Sequence, residues 1–561
     1  MGFAYLALIQ LLLIKLRYEA CFTRQTTDKV ETALLQLFGE NTMRILVLIL
    51  FGLLWLSSGA EAACSGSGTN WSCTAGTTVA EVNATLNNAA NAATLTFAAG
   101  TYNWAGQGTI ALSNSKGVTL ICASAGTCAV PFGGSTPNLI ELVFSGTNTR
   151  FYRVSGFAFS NGGSCATCIW FYGNGTLDGF RIDHNSWTGF DNAAALVFLG
   201  SNANAGYFYG VIDHNTITAN DDNMIVKILG HNINEAFTTP WRQVRGTREN
   251  VFIENNTFNI ATGFSDVACM DAHQAAQMVL RYNTSTNCRG FDTHGMPHGG
   301  AMNFEIYRNN FRKTSDELTW GDMKRMILNQ GSGEMYVWDN QFTPFGATVA
   351  SWAIDFLYHR DQTGQGGAHG ICDGTKSVDG NVAPTATYRG YPCLAQPGRQ
   401  LVGGQKPWGQ LAPMGFWGNY NTKNGAKVDG NFSQQGSYNH VVEGRDFYNA
   451  VSASLQTSSS SPFNGTTGIG RGTLANRPTT CTHTTSPDGD NGGGVMYWAT
   501  DQGSWCNGCA EGSGALYRCS ATNTWTVHYT PYTYPHPLQA GGGGGGGDTT
   551  SPIPPTNLRV Q

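Results

Sequence analysis

Charge is scarce in this chain. Lys, Arg, Asp and Glu make up 12% of 561 residues, and the formal net charge is −5. No basic stripe stands out, which argues against a nucleic-acid partner, because phosphate recognition needs clustered Lys and Arg. Long apolar runs are missing too. The run "ILVLILFGLLWL" at 45–56 is short for a bilayer-spanning helix, which needs about 20 residues. What is abundant is glycine, at 72 residues, with Asn, Thr and Ser throughout. Aromatic residues reach 11% and recur along the chain, so most of it is expected to be ordered. Small polar residues with regular aromatics suit a turn-rich β protein.

The N-terminus reads as a leader. Met43-Arg44, the apolar run and "SSGAEA" form the charged start, apolar middle and small-residue exit of a secretory signal over 43–62. Residues 1–42 are expected to be an upstream gene-model extension, with a membrane anchor as the alternative. Fifteen cysteines are present, and setting aside Cys21 leaves fourteen in close sequential couples. These are Cys64/Cys73, Cys122/Cys128, Cys165/Cys168, Cys269/Cys288, Cys372/Cys393, Cys481/Cys519 and Cys506/Cys509. Disulfides are the default for such couples in an oxidising compartment, and neighbour pairing is the simplest of the open connectivities. A redox or zinc role for Cys506-x-x-Cys509 is the minor alternative.

A repeat runs through the middle. "FRIDHNSWTGF", "GVIDHNTITAN", "VFIENNTFNIA", "MVLRYNTSTNC", "FEIYRNNFRKT" and "MYVWDNQFTPF" each carry a short aliphatic strand ending in Asn. The aligned residues are Asn185, Asn215, Asn256, Asn283, Asn309 and Asn340, at irregular spacing. Spacings of 20–50 residues with period-2 patterning point to a β-solenoid with variable loops. Ile182, Ile212, Ile253, Leu280, Ile306 and Val337 are expected at one inward level. Asn suits the turn because its amide both donates and accepts, and because it tolerates left-handed backbone.

Upstream, "TTVAEVNATLNNAANA" (77–92) reads as an amphipathic helix, followed by strands at "TLTF" and "GVTLICAS" and by "AAGTY". That order resembles the capped start of a right-handed parallel β-helix of the pectate-lyase-like superfamily. "VLRYNTSTN", "FDTHG" and "FEIYRNNF" are similar to a pattern of secreted bacterial β-helix proteins. The resemblance covers 279–311 closely and about 77–345 loosely. It implies an all-β solenoid over 64–463, with an N-terminal capping helix and a long excursion at about 359–425. "AKVDGNFSQQG" is expected to add one last coil. A small Cys/Trp-rich β module follows at 464–538, with Trp498, Trp505 and Trp525. A glycine linker at 539–551 precedes "SPIPPTNLRVQ", which resembles the opening of a fibronectin type III domain.

Three constellations could carry chemistry. "CMDAHQ" and "FDTHG" repeat Asp-x-His at an offset of 21 residues, so one coil would stack Asp271 on Asp292 and His273 on His294. With Arg281, this set provides the groups a lyase needs: a cation for a uronate carboxylate and a base for the neighbouring carbon. Arg289, His298 and Glu305 would contact substrate. The alternative is that these corner residues only brace turns. Asp191 one coil from Asp221-Asp222 resembles the acidic set of polygalacturonase-like hydrolases, but their later His-Gly and Arg-x-Lys elements are missing at matching places. Asp183, Asp213 and Glu254 form a row of oxygen ligands suited to calcium, or a solvated face with Arg281 as counter-charge. The superfamily holds lyases, hydrolases, epimerases and adhesins, and the fold does not choose among them; the first expectation is a polysaccharide-active enzyme, a lyase on an acidic glycan, with a non-catalytic glycan-binding surface protein as the alternative. In the latter, the groove and the tryptophan-rich module would hold sugar.

Overall fold

The computed structural model describes residues 64–540 except 133–135, 162–164, 191–194, 202–205, 220–223, 231–243, 262–267, 294–301, 316–322, 332, 358–369, 383–388, 395, 401–407, 434–439, 452–462 and 510–512. The side chains of 132, 136–137, 161 and 165–166 also lie outside the description. Within it the chain is a parallel β-solenoid of about 11 turns. Each full coil contributes strands to three faces. Two of them, faces 1 and 3, join into one 22-stranded sheet, because the bent strand Cys165–Asp183 belongs to both, and the remaining one, face 2, is 10-stranded.

Face 1 carries the strands that end at the asparagines, including Gly206–Asp213, Val251–Glu254, Gln277–Arg281, Asn303–Tyr307, Glu334–Trp338 and Met414–Trp417. Ile182, Ile212, Ile253, Leu280, Ile306 and Val337 pair in register, as the repeat predicts, and Phe416 extends the column. All are buried in one core. Stacking is what makes such coils stable, since no single coil can bury its apolar side.

At the corner after face 1 the asparagine amides form a ladder. The backbone N–H of Asn215 donates to Asn256 Oδ1 at 2.9 Å, Asn256 N–H donates to Asn283 Oδ1 at 2.9 Å, and the series runs on through Asn309 and Asn340 to Asn419. Each amide nitrogen also donates to a backbone carbonyl, as Asn215 Nδ2 does to Ile182 O at 2.8 Å. The left-handed residue is not the asparagine. It is the residue before it: His184, His214, Asn255, Tyr282, Arg308, Asp339 and finally Gly418 all have positive φ. A Cβ at Gly418 would meet Asp339 Oδ1 at 2.0 Å, so a side chain there would have to displace the Asp339 carboxylate from Arg471.

Helix α1, Val79–Asn88, closes the N-terminal end. It is shorter than the 77–92 expected because Thr78 caps it reciprocally with Glu81, and Ala89 is already extended. It buries Val79, Val82, Thr85 and Leu86. The excursion after 359 ends earlier than expected: Met414–Trp417 is back on face 1, and Gly430–Phe432 is a face 3 strand of that coil.

The C-terminal module is a 4-stranded sheet of Ile469–Gly472, Met496–Ala499, Ala515–Ala521 and Thr524–Tyr529. Six of the seven expected cysteine couples are disulfides, Cys506–Cys509 among them. In the seventh, Cys168 is buried and the Cys165 side chain lies outside the described residues. Among the described residues no helix is long and apolar enough to cross a membrane.

Candidate functional site

Face 3 is built from Ala195–Leu199, Val226–Leu229, Met270–His273, Phe291–Thr293, Ile327–Asn329 and Ile354–Phe356. Strand alternation sends Ala272 into the core and leaves Asp271 and His273 on the other side. Register places Trp170, Phe198, Lys227, Asp271, Asp292, Leu328 and Asp355 in one outward column. The 21-residue repeat of Asp-x-His is therefore one coil, and Asp271 does stack on Asp292.

The acid pair is set among cations. Lys227 Nζ lies 3.7 Å and His273 Nε2 3.6 Å from Asp271 Oδ2. Arg289 pairs with Asp292 Oδ2, and Gln330 Nε2 donates to Asp292 Oδ1 at 3.1 Å. The disulfide Cys269–Cys288 ties the two coils together next to these residues. Lys313, 5% exposed, lies within electrostatic reach of Arg289. Burial first, and then Arg289, push its ammonium down from 10.5 to about 8. The sequence reading missed Lys227, Lys313 and Gln330. Lys227 was legible in principle, since "MIVK" falls one coil before "CMDAH". His294 and His298 lie outside the described residues, as do Asp191, Asp221 and Asp222.

The other expected site residues are elsewhere and are engaged. Arg281 and Glu305 belong to face 1, and the C-terminal module lies over them. Arg281 Nε donates to Glu254 Oε2 at 2.5 Å, while its terminal nitrogens donate to Tyr307 Oη (2.9 Å), Tyr532 O (2.7 Å) and Thr533 O (2.8 Å). Glu305 accepts from Tyr529 Oη at 2.7 Å and from Gly246 N–H at 2.8 Å. Neither has any exposed surface. Arg281 is thus a structural cation and not a substrate contact, and Glu305 is likewise held inside the protein by its donors.

The row Asp183, Asp213 and Glu254 does exist, but arginine occupies it. Arg153 forks onto both oxygens of Asp183 at 2.7 and 2.6 Å, and Arg181 onto both oxygens of Asp213 at 2.9 and 2.8 Å. Glu254 Oε1 accepts from His536 N–H at 2.8 Å and from Gln539 Nε2. Guanidinium groups hold Asp183 well below the usual carboxylate range, against the upward pull of burial. The oxygens a calcium ion would take are committed to donors, so these residues do not fit the ion. Among the described residues, Cys372, Cys393 and His440 come closest to a metal-binding group, but the two cysteines are joined as a disulfide.

Two of the module's three expected tryptophans also have another task, while Trp525 is only partly buried. Trp498 and Trp505 are 2% and 4% exposed, packed on Trp338 and Trp417 of face 1. They hold the module down and offer no open ring for sugar.

The chain matches no known family model and no curated protein. Chemistry must therefore be read from the side chains. Face 1 is sealed. Face 3 brings two carboxylates, an imidazole and two cations together, and Lys227 reaches solvent with 23% of its side chain.

Proposed function

We propose that the protein works outside the cell on an acidic polysaccharide, with the face 3 cluster as its reaction site. The observation that carries this is the stacking of Asp271 on Asp292 with Lys227, His273 and Arg289 around them. Six disulfides in the described residues favour an oxidising location.

The reaction is β-elimination. Lys227 and Arg289 face the uronate carboxylate and stabilise negative charge as it develops. His273, oriented by Asp271, takes the proton from the carbon beside that carboxylate. The electron pair forms a carbon–carbon double bond, the glycosidic carbon–oxygen bond breaks, the leaving oxygen takes a proton from water, and the hydroxide so formed takes back the proton held by His273. Asp292 acts as a positioning residue through Arg289.

A second reading has its own support. The Arg289–Asp292 and Lys227–Asp271 pairs balance their charges internally, which also suits a non-catalytic glycan-binding surface. One experiment separates the two. The purified protein is incubated with a panel of uronate polymers, following the ultraviolet absorbance of the unsaturated product and, in parallel, polymer binding. Product formation lost in His273→Ala supports the lyase. Binding without product supports the second reading, and neither binding nor product contradicts both.

A further inference from the structure

The column that holds Asp271 continues toward the N-terminal end of the solenoid as aromatic rings. Phe198 is one coil before Lys227, and Trp170 one coil before Phe198. The Trp170 and Phe198 ring planes lie within 13° of each other, with centroids 5.8 Å apart. Tyr172 stacks on Trp170 at 4.0 Å. The orientation is fixed at two points: Trp170 Nε1 donates to Gly200 O at 2.8 Å, and Tyr172 Oη donates to Glu141 Oε1 at 3.2 Å. All three rings are only partly buried. Lys227 Nζ stands 5.8 Å from the Phe198 centroid, so positive charge begins where the aromatic strip ends.

We propose that Trp170 and Phe198 form a sugar-stacking subsite for an acidic polysaccharide lying along the solenoid axis, an inference that rests on the function proposed above. Coils repeat at roughly 4.8 Å, so Trp170 is three coils, about 14 Å, from Asp271. That is the span of a short oligosaccharide. The apolar CH face of a pyranose packs against a π face, and rings fixed in advance lose little entropy on binding. The partner is anionic because Lys227, the first charge the strip meets on this side, is the most exposed member of the cluster, with 23% of its side chain in solvent against 0% for its partner Asp271. The strip orients the polymer, and the cluster beyond it meets the carboxylate.

The test uses the full chain in gels cast with polygalacturonate, alginate, hyaluronate or neutral dextran, together with cleavage kinetics on whichever polymer retards it. The expected result is retardation by an acidic polymer and not by dextran. Trp170→Ala should weaken binding at least about tenfold, or about 1.4 kcal/mol, and raise KM with kcat retained. Trp170→Phe and Phe198→Leu serve as milder variants if the alanine form melts early, and each should weaken binding by a smaller factor. Retardation unchanged in all three variants overturns the subsite and leaves the polysaccharide reading standing. No retardation of the wild-type chain by any acidic polymer overturns both. Loss of cleavage with full retardation in His273→Ala, beside loss of retardation in Trp170→Ala, supports the two roles separately.

Discussion

Replacing Arg281 by Met should release the C-terminal strap and leave the chemistry of face 3 in place. From His528 to Gln539 the chain crosses the outer side of face 1, running back from the coil of Tyr336 to that of Arg181. Arg281 is at the centre of this crossing. It neutralises Glu254 and binds the carbonyls of Tyr532 and Thr533. Met fills much of the same volume but leaves Glu254 buried without its guanidinium and two strap carbonyls without their donor. Breaking a buried ion pair in this way costs about 3–5 kcal/mol. Exchange of the strap amides by local opening should then accelerate roughly 100-fold at the low end of that range. Hydrogen-exchange mass spectrometry of peptides covering 530–540 reads this directly. The double variant Arg281→Met/Glu254→Gln should recover much of the protection, because the stranded charge is gone. Strap exchange within about threefold of wild type in the single variant would refute the clamp.

Three further outcomes follow from buried polar groups. Lys313 is held down from 10.5 to about 8, a penalty of about 3 kcal/mol on folding that is complete below pH 8 and gone above 10.5; Lys313→Met should therefore stabilise the chain at pH 7, and its advantage in melting should shrink as pH rises through that window. His536 is pushed down to about 3 by burial and by Arg281, Arg181 and Arg248, so the strap loses stability as pH falls below the ordinary histidine value. Glu254 and Glu305, raised by burial, oppose this until pH falls to 4.5; net loosening, seen as faster strap exchange, is expected between 4.5 and about 3. Asn256→Ala should lower stability by about 3 kcal/mol or more, since Asn215 N–H and Nδ2 both lose their acceptor inside the core, and thermal melting reads the loss.

The inward side of the solenoid was legible in the sequence, and much of the outward side was not. Ile182 through Val337 and the six asparagines announce themselves because each coil must solve the same packing and corner problem, which leaves a repeating pattern. Asn419 escaped notice because an excursion separates it from Asn340. The left-handed turn position was misplaced by one residue, since His184, Tyr282 and Arg308 are not residue types that advertise positive φ. Arg281 and Glu305 looked solvent-facing, and partners 224 to 252 residues later in the chain cover them; strand periodicity carries no trace of such a contact. At the row expected to hold calcium, Arg153 and Arg181 bind carboxylates 30 and 32 residues later, a pairing between neighbouring coils that the strand pattern alone does not announce. On face 3, the 21-residue offset gave the Asp271–Asp292 stack correctly, because there the coil is short and regular. Trp170 lies before the visible repeat, and Phe198 lies between its first two copies, on a face whose strands carry no terminal asparagine to mark them.

The most direct measurement is the initial rate of unsaturated-product formation on uronate polymers by the wild-type chain, His273→Ala and Arg281→Met, at a temperature where all three are folded. The account predicts a drop of about 100-fold or more for His273→Ala, the range of a lost general base, with Arg281→Met close to wild type. A His273→Ala rate equal to wild type, or a loss confined to Arg281→Met, would contradict it and move the working surface to the face that the C-terminal module covers.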